Sequence, residues 1–143
     1  MASRTNNHMK RQFTFKESVR IYDTDAQGIV HYAGYYRFFT DALEQFVKER
    51  IGGTFPLLED GIWFVVVESN AKYHKPARVG DELEISLSPM LLSEKAIKFD
   101  FGIERDGELL CDGYITQVAL NESKWKSVPI PQKFIDKIFQ KKS

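Results

Sequence analysis

The 143-residue chain has one cysteine, Cys111, and that scarcity excludes several chemistries. A lone thiol forms no intramolecular disulfide and offers no metal-ligand spacing, so a reducing compartment, the cytoplasm, is the expected location. Net charge is missing as well: twenty Lys and Arg balance twenty Asp and Glu. Without an overall basic field, neither nucleic acid nor an anionic membrane is an expected partner, and any anionic ligand must meet a local patch. No apolar run approaches the roughly 20 residues that span a bilayer, and no signal-peptide core follows the first charges. Membrane insertion is not expected.

Aromatics, by contrast, are plentiful, with eleven Phe and six Tyr, and the charged residues are spread along the chain instead of forming blocks. This is a globular composition at a length suited to one core. Residues 1–9 are polar and aperiodic and end in a His-Met pair typical of a cloning site. They read as a disordered remnant that places His8 outside any site, and 10–143 as a single domain.

Apolar residues from Phe13 to Tyr22 alternate enough to predict a strand. Tyr35, Phe38, Phe39, Ala42, Leu43, Phe46 and Val47 then recur at intervals of three and four, the period of a helix buried on a broad face. Gly52-Gly53 stops it, and Thr54 to Asp60 reads as an irregular connection. Strands are expected over Ile62 to His74, Glu82 to Leu91, Lys95 to Ile103 and Leu109 to Leu120, the last two forming a hairpin at Asp106-Gly107. Ile97, Phe99, Phe101 and Ile103 share one face of their strand, and Tyr114, Thr116, Val118 and Leu120 run in step along theirs. After Pro129-Ile130-Pro131, the spacing of Phe134, Ile135, Ile138 and Phe139 predicts a short docking helix. A long apolar helix beside antiparallel strands predicts an α+β domain whose sheet curls around the helix. Its open edges favour pairing with a second copy, so at least a dimer is expected.

The stretch from Tyr22 to Tyr32, Y-D-T-D-A-Q-G-I-V-H-Y, lies where strand gives way to helix. Two readings stay open on spacing alone. Asp23 and Asp25 suit turn and N-cap chemistry. Equally, a carboxylate beside the unpaired N–H groups of a helix start, with Gly28 allowing close approach, supplies both acid/base or nucleophile and electrostatic stabiliser for acyl transfer. His31 is a candidate proton shuttle, although a histidine among aromatics commonly serves packing, as does His74. Cys111, in a strand with no histidine near it, reads as a buried hydrophobe.

The chain resembles the hotdog-fold acyl-CoA thioesterases of the 4-hydroxybenzoyl-CoA thioesterase class, in the branch that includes the Tol-Pal-associated thioesterase. Three stretches carry the likeness: Asp23 to Tyr32 with the aromatic helix after it, Tyr73-His74-Lys75-Pro76-Ala77-Arg78-Val79-Gly80-Asp81-Glu82-Leu83, and Thr116 to Leu120 leading to Pro129-Ile130-Pro131. The resemblance implies a six-stranded antiparallel sheet around the central helix, dimers joined edge to edge or tetramers, and acyl-CoA hydrolysis to free acid and CoA without metal or other cofactor. It also implies that Asp25 is the catalytic carboxylate, Asp23 structural, and the Tyr32 backbone N–H the donor to the thioester carbonyl, with Gly28 giving access. The family's helix Glu-Ala-Arg stands here as Asp41-Ala42-Leu43, and several relatives carry His or Asn at or next to the position of Tyr32. Arg78, Lys124 and Lys126 are candidates to bind the CoA phosphates. Tyr35, Tyr36, Phe38 and Trp63 are candidates for the acyl pocket, or for core. Alternatives are a non-catalytic acyl-CoA-binding hotdog dimer, another branch's use of a helix acid (Asp41 or Glu44), and the family's dehydratase chemistry, against which the Asp-Thr-Asp loop argues.

Overall fold

The computed structural model describes residues 13–52 and 61–139, so the expectations for 1–9, for Gly53 and for the connection from Thr54 to Asp60 lie outside the described residues. Strands β1 (Phe13–Ser18), β2 (Ile62–Tyr73), β3 (Glu82–Leu91), β4 (Ala96–Arg105), β5 (Glu108–Asn121) and β6 (Lys126–Ser127) form one antiparallel sheet. Their order is β1-β3-β4-β5-β2, with β6 paired to the end of β5, so β1 and β2 are the outer strands. Helix α1 (Tyr35–Arg50) lies in the curl of this sheet, and α2 (Gln132–Ile138) packs at its far end. This is the α+β hotdog arrangement.

All seven periodic apolar residues of α1 are buried. Phe39 stacks on Phe101 of β4 with ring centroids 4.6 Å apart, and Phe46 meets Phe99 and Phe13 edge-on. Each such side chain contributes about 1.5–3 kcal/mol on burial, so the helix is held by its packed face. It ends at Gly52, whose N–H bonds the Val47 carbonyl at φ +84°. Asp106 and Gly107, at φ 53° and 81°, turn the β4–β5 hairpin as expected. In α2, Phe134 and Ile138 dock into the core.

Two details differ from the expected pattern. The first strand stops at Ser18: Val19 exchanges hydrogen bonds with Asp81 and Gly80, and Ile21–Asp23 forms a tight 3-10 turn that leaves Ile21 and Tyr22 80% and 72% exposed. In β5, Ile115, Gln117 and Ala119 are buried, whereas the Tyr114 hydroxyl donates to Glu68 and its ring lies under the Lys98 amine. Register shifts at Ile103/Glu104 and Val66/Glu68 interrupt the pairing of β5 on both sides.

Candidate active site

Residues 23 to 31 form a miniature hairpin. The Asp23 carbonyl accepts the His31 N–H, Thr24 bridges Val30, and the Asp25 N–H bonds the Ile29 carbonyl, with Gly28 at φ +77° closing the turn. A side chain at 28 would be strained by that angle and would press on Val79. The hairpin lies against the segment after β2: the Val30 N–H bonds the Ala77 carbonyl, the Val79 N–H bonds the Gly28 carbonyl, and Ile29 bridges Arg78. Two stretches about fifty residues apart thus meet at one place.

Asp25 sits at the exposed tip. Its Oδ1 accepts the N–H groups of Gln27 (2.9 Å) and Ile29 (3.2 Å), and these bonds, Ile29 foremost, hold its carboxyl below the ordinary 3.8. The His31 charge, when present, acts in the same direction. Asp25 Oδ2 accepts no hydrogen bond among the described residues. Just past the base of the hairpin, Tyr32–Gly34 forms one 3-10 turn leading into α1. Among the described residues the Tyr32 N–H has no acceptor, and the Tyr32 carbonyl receives the Tyr73 hydroxyl at 2.8 Å.

Asp23 is buried, 4% exposed, and is held by Arg37 from the first turn of α1. Arg37 Nε donates to Asp23 Oδ1 at 2.6 Å and Nη2 to Oδ2 at 2.7 Å, while Nη1 donates to Glu17 Oε2 at 2.7 Å and Asp41 Oδ2 at 2.5 Å. Although burial opposes it, the Arg37 fork and the Arg20 N–H keep the Asp23 carboxyl below its ordinary range. Burial and a hydrogen bond shared with Asp41 push the Glu17 carboxyl up to about 7. Sequence reasoning passed over Arg37 and Glu17. One signal was available: a cation in the first turn of a helix opposes the helix dipole, and no acid accompanies it within that turn. Such an arginine needs carboxylates from elsewhere.

Of the predicted site residues, Asp25, Gly28, His31 and Tyr32 come together, with exposed Arg78 alongside. Lys124 and Lys126 do not join them within one chain. Lys126 pairs with Asn121, opposite Ile62 at the start of β2, whereas the hairpin lies beside Tyr73 at its end. Asp41 is committed to Arg37, and Glu44 is exposed on the outer side of α1. Tyr35 and Phe38 are core, Tyr36 is partly buried, and Trp63 packs edge-on against Trp125. His74 is exposed, 3.6 Å from Asp112. Burial drives the Cys111 thiol up to about 12, which leaves it no nucleophilic role. Among the described residues no cluster of His, Cys, Asp or Glu could hold a metal, and no helix is long and apolar enough to cross a membrane.

The curled sheet, its enclosed helix and an acid-bearing hairpin at the helix start define a hotdog-fold enzyme scaffold. A model of the thioesterase-like superfamily matches residues 19–138, and the chain belongs to that family. The acyl-CoA thioester hydrolase YbgC of Escherichia coli is 27% identical over 124 residues, covering 85% of this chain and 92% of that one. A 1,4-dihydroxy-2-naphthoyl-CoA hydrolase of Prochlorococcus marinus is 30% identical over 112 residues, 73% of this chain and 75% of the other. Among solved structures, a 1,4-dihydroxy-2-naphthoyl-CoA thioesterase from Synechocystis superposes with a TM-score of 0.83 at 22% identity, covering 90% of this chain and 96% of that one, a likeness of fold.

Proposed function

We propose that this chain is an acyl-CoA thioesterase in which Asp25 attacks the thioester carbonyl carbon, directly or by deprotonating a water. The observation that carries the reading is the hairpin itself, with a carboxylate held below its ordinary range at its tip and, just past its base, a Tyr32 N–H without an acceptor among the described residues. The N–H receives the carbonyl oxygen as negative charge develops there. The C–S bond breaks, CoA leaves as its thiolate, and the exposed His31 ring supplies the proton that makes it a thiol. On the nucleophilic route, water then releases the acid from the anhydride formed on Asp25 and regenerates the carboxylate. Family membership supports the chemistry, as do the relatives named as an acyl-CoA thioester hydrolase and a 1,4-dihydroxy-2-naphthoyl-CoA hydrolase.

Arg78, exposed beside the hairpin and without an ion pair among the described residues, is the CoA phosphate ligand nearest the site. Lys124 and Lys126 act there only from a second copy. β2 is an outer strand with Val66 and Val67 54% and 58% exposed, a surface suited to antiparallel pairing with its own copy. Such pairing returns the start of one β2 to the end of the other and makes the working unit a dimer, or a tetramer of such dimers. The cavity lined by Phe46, Phe64, Phe99 and Gln117 measures about 10 Å³, room for one water and not for an acyl group. The acyl group therefore lies outside that cavity, at the hairpin and the β2 edge.

The competing reading, a non-catalytic acyl-CoA-binding dimer, has an observation of its own: the bonds from Gln27 and Ile29 would suit an Asp25 that serves only the turn. Thiol release from short, long and aromatic acyl-CoAs, with wild type beside Asp25→Asn, separates the two. Wild-type activity lost in the variant supports hydrolysis. No release from any thioester, with binding intact, sinks it.

A further inference from the structure

Three elements meet on one guanidinium: β1 through Glu17, the hairpin through Asp23, and α1 through Asp41, the helix that also carries Arg37. We propose that Arg37 is a positioning residue for the reaction, orienting the Asp25 hairpin against the start of α1 through its two-bond grip on Asp23. The inference rests on the thioesterase reading and adds to it a residue that touches neither substrate nor reacting atoms.

The geometry divides the guanidinium into two tasks. Nε and Nη2 form the fork that holds both Asp23 oxygens, and Nη1 alone meets Glu17 and Asp41. The grip on the hairpin is therefore separate from the contacts that tie the helix to β1. The ring of Phe38 lies 4.6 Å and that of Tyr22 5.5 Å from the Arg37 Cζ, which limits how the plane can turn. A fork fixed in this way sets direction as well as distance, which a lysine point charge cannot do.

Asp23 passes that direction on through three bonds. Its Oδ2 accepts the Arg20 N–H at 2.9 Å, its N–H bonds the Arg20 carbonyl, and its carbonyl accepts the His31 N–H at 3.2 Å. Both arms of the hairpin are thus fastened to one residue, and His31 directly precedes the proposed donor, Tyr32. Among the described residues, the hydrogen bonds of Asp25, side chain and backbone alike, run only to Gln27, Gly28 and Ile29 inside the hairpin. Its placement relative to α1 is inherited from Asp23 and from the contacts of Val30 and Gly28 with Ala77 and Val79. Without the fork, one side of that frame is free to shift, and small misplacements of a reacting group are costly.

The test compares Arg37→Lys and Asp23→Asn with wild type in three readouts: steady-state kinetics on an acyl-CoA that wild type hydrolyses, thermal unfolding, and amide hydrogen exchange at Gln27, Ile29 and His31. Positioning predicts folded variants with kcat lowered roughly tenfold or more, KM within about twofold, and faster exchange at the three amides. The double variant should then lose little more than either single one, because the two residues act as a unit. A folded Arg37→Lys or Asp23→Asn with wild-type kcat and unchanged exchange overturns the proposal. Should Arg37→Lys fail to fold, Asp23→Asn, which keeps the shape and the backbone bonds, decides by the same criteria. Should wild type release no thiol from any acyl-CoA, the thioesterase reading falls, and unchanged exchange in the variants would remove the positioning role as well.

Discussion

The Tyr73 hydroxyl at the end of β2 donates a 2.8 Å hydrogen bond to the carbonyl of Tyr32. An outer strand thereby holds the residue whose N–H is the proposed thioester donor. Tyr73→Phe removes the hydroxyl and keeps the ring against Tyr35, 5.3 Å between centroids. A hydrogen bond of this kind contributes about 1 kcal/mol, so kcat should fall by up to roughly fivefold with KM nearly unchanged and Tm lowered by a few degrees. Steady-state kinetics on an acyl-CoA checks this, and unaltered kcat would mean that Tyr32 is held without Tyr73.

Glu17 makes stability depend on pH in an uncommon direction for a carboxyl. Burial first, and then its hydrogen bond with Asp41, raises it from 4.5 to about 7, so the folded chain keeps a proton that the unfolded chain releases. Its contribution is fully present below pH 4.5 and is lost as pH rises through 7. With 17% of the side chain exposed, that loss should be on the order of 1–2 kcal/mol, less than the whole shift implies. Glu17→Gln can donate to Asp41 and accept from Arg37 at every pH. Urea unfolding at pH 5 and pH 8 should therefore show the variant gaining on wild type at the higher pH; a constant difference would exclude Glu17 as the titrating group.

Gly113 sits where β5 crosses close to β2. A Cβ there would come within 2.0 Å of the Asn70 carbonyl oxygen, a backbone atom that cannot swing aside. Gly113→Ala should destabilise the protein by about 3 kcal/mol or more, read as a lower urea midpoint. A midpoint equal to wild type would mean that the strands separate there at little cost.

Cys111 is fully buried, and its thiol is pushed up to about 12. The folded protein should resist N-ethylmaleimide and react once unfolded in denaturant. Cys111→Ser puts a hydroxyl among apolar neighbours and should cost about 1–3 kcal/mol while leaving kcat intact. Rapid labelling of the native protein, or loss of activity in a stable Cys111→Ser, would contradict this.

Much of this fold could be read from side-chain period alone. Ile97, Phe99, Phe101 and Ile103 mark a half-buried strand, and the seven apolar residues from Tyr35 to Val47 mark a buried helix, because each pattern is local. What escaped depends on contacts distant in sequence. The early end of β1 is set by Asp81 and Gly80, some sixty residues away, and the phase of β5 by the extra residue Leu110 in its pairing with β4. Asp25, Gly28, His31 and Tyr32 were readable as one short motif. Arg37 was not, because its partners Asp23 and Glu17 lie 14 and 20 residues back on other elements. Lys124 and Lys126 looked like neighbours of the site only while the direction of β2 was unknown.

β2 presents a twelve-residue border from Ile62 to Tyr73. If it pairs antiparallel with its own copy, as proposed above, the two borders are identical and one event consumes both. Growth beyond that pair would have to use another surface, which protects a sheet-rich chain against fibre growth along this edge.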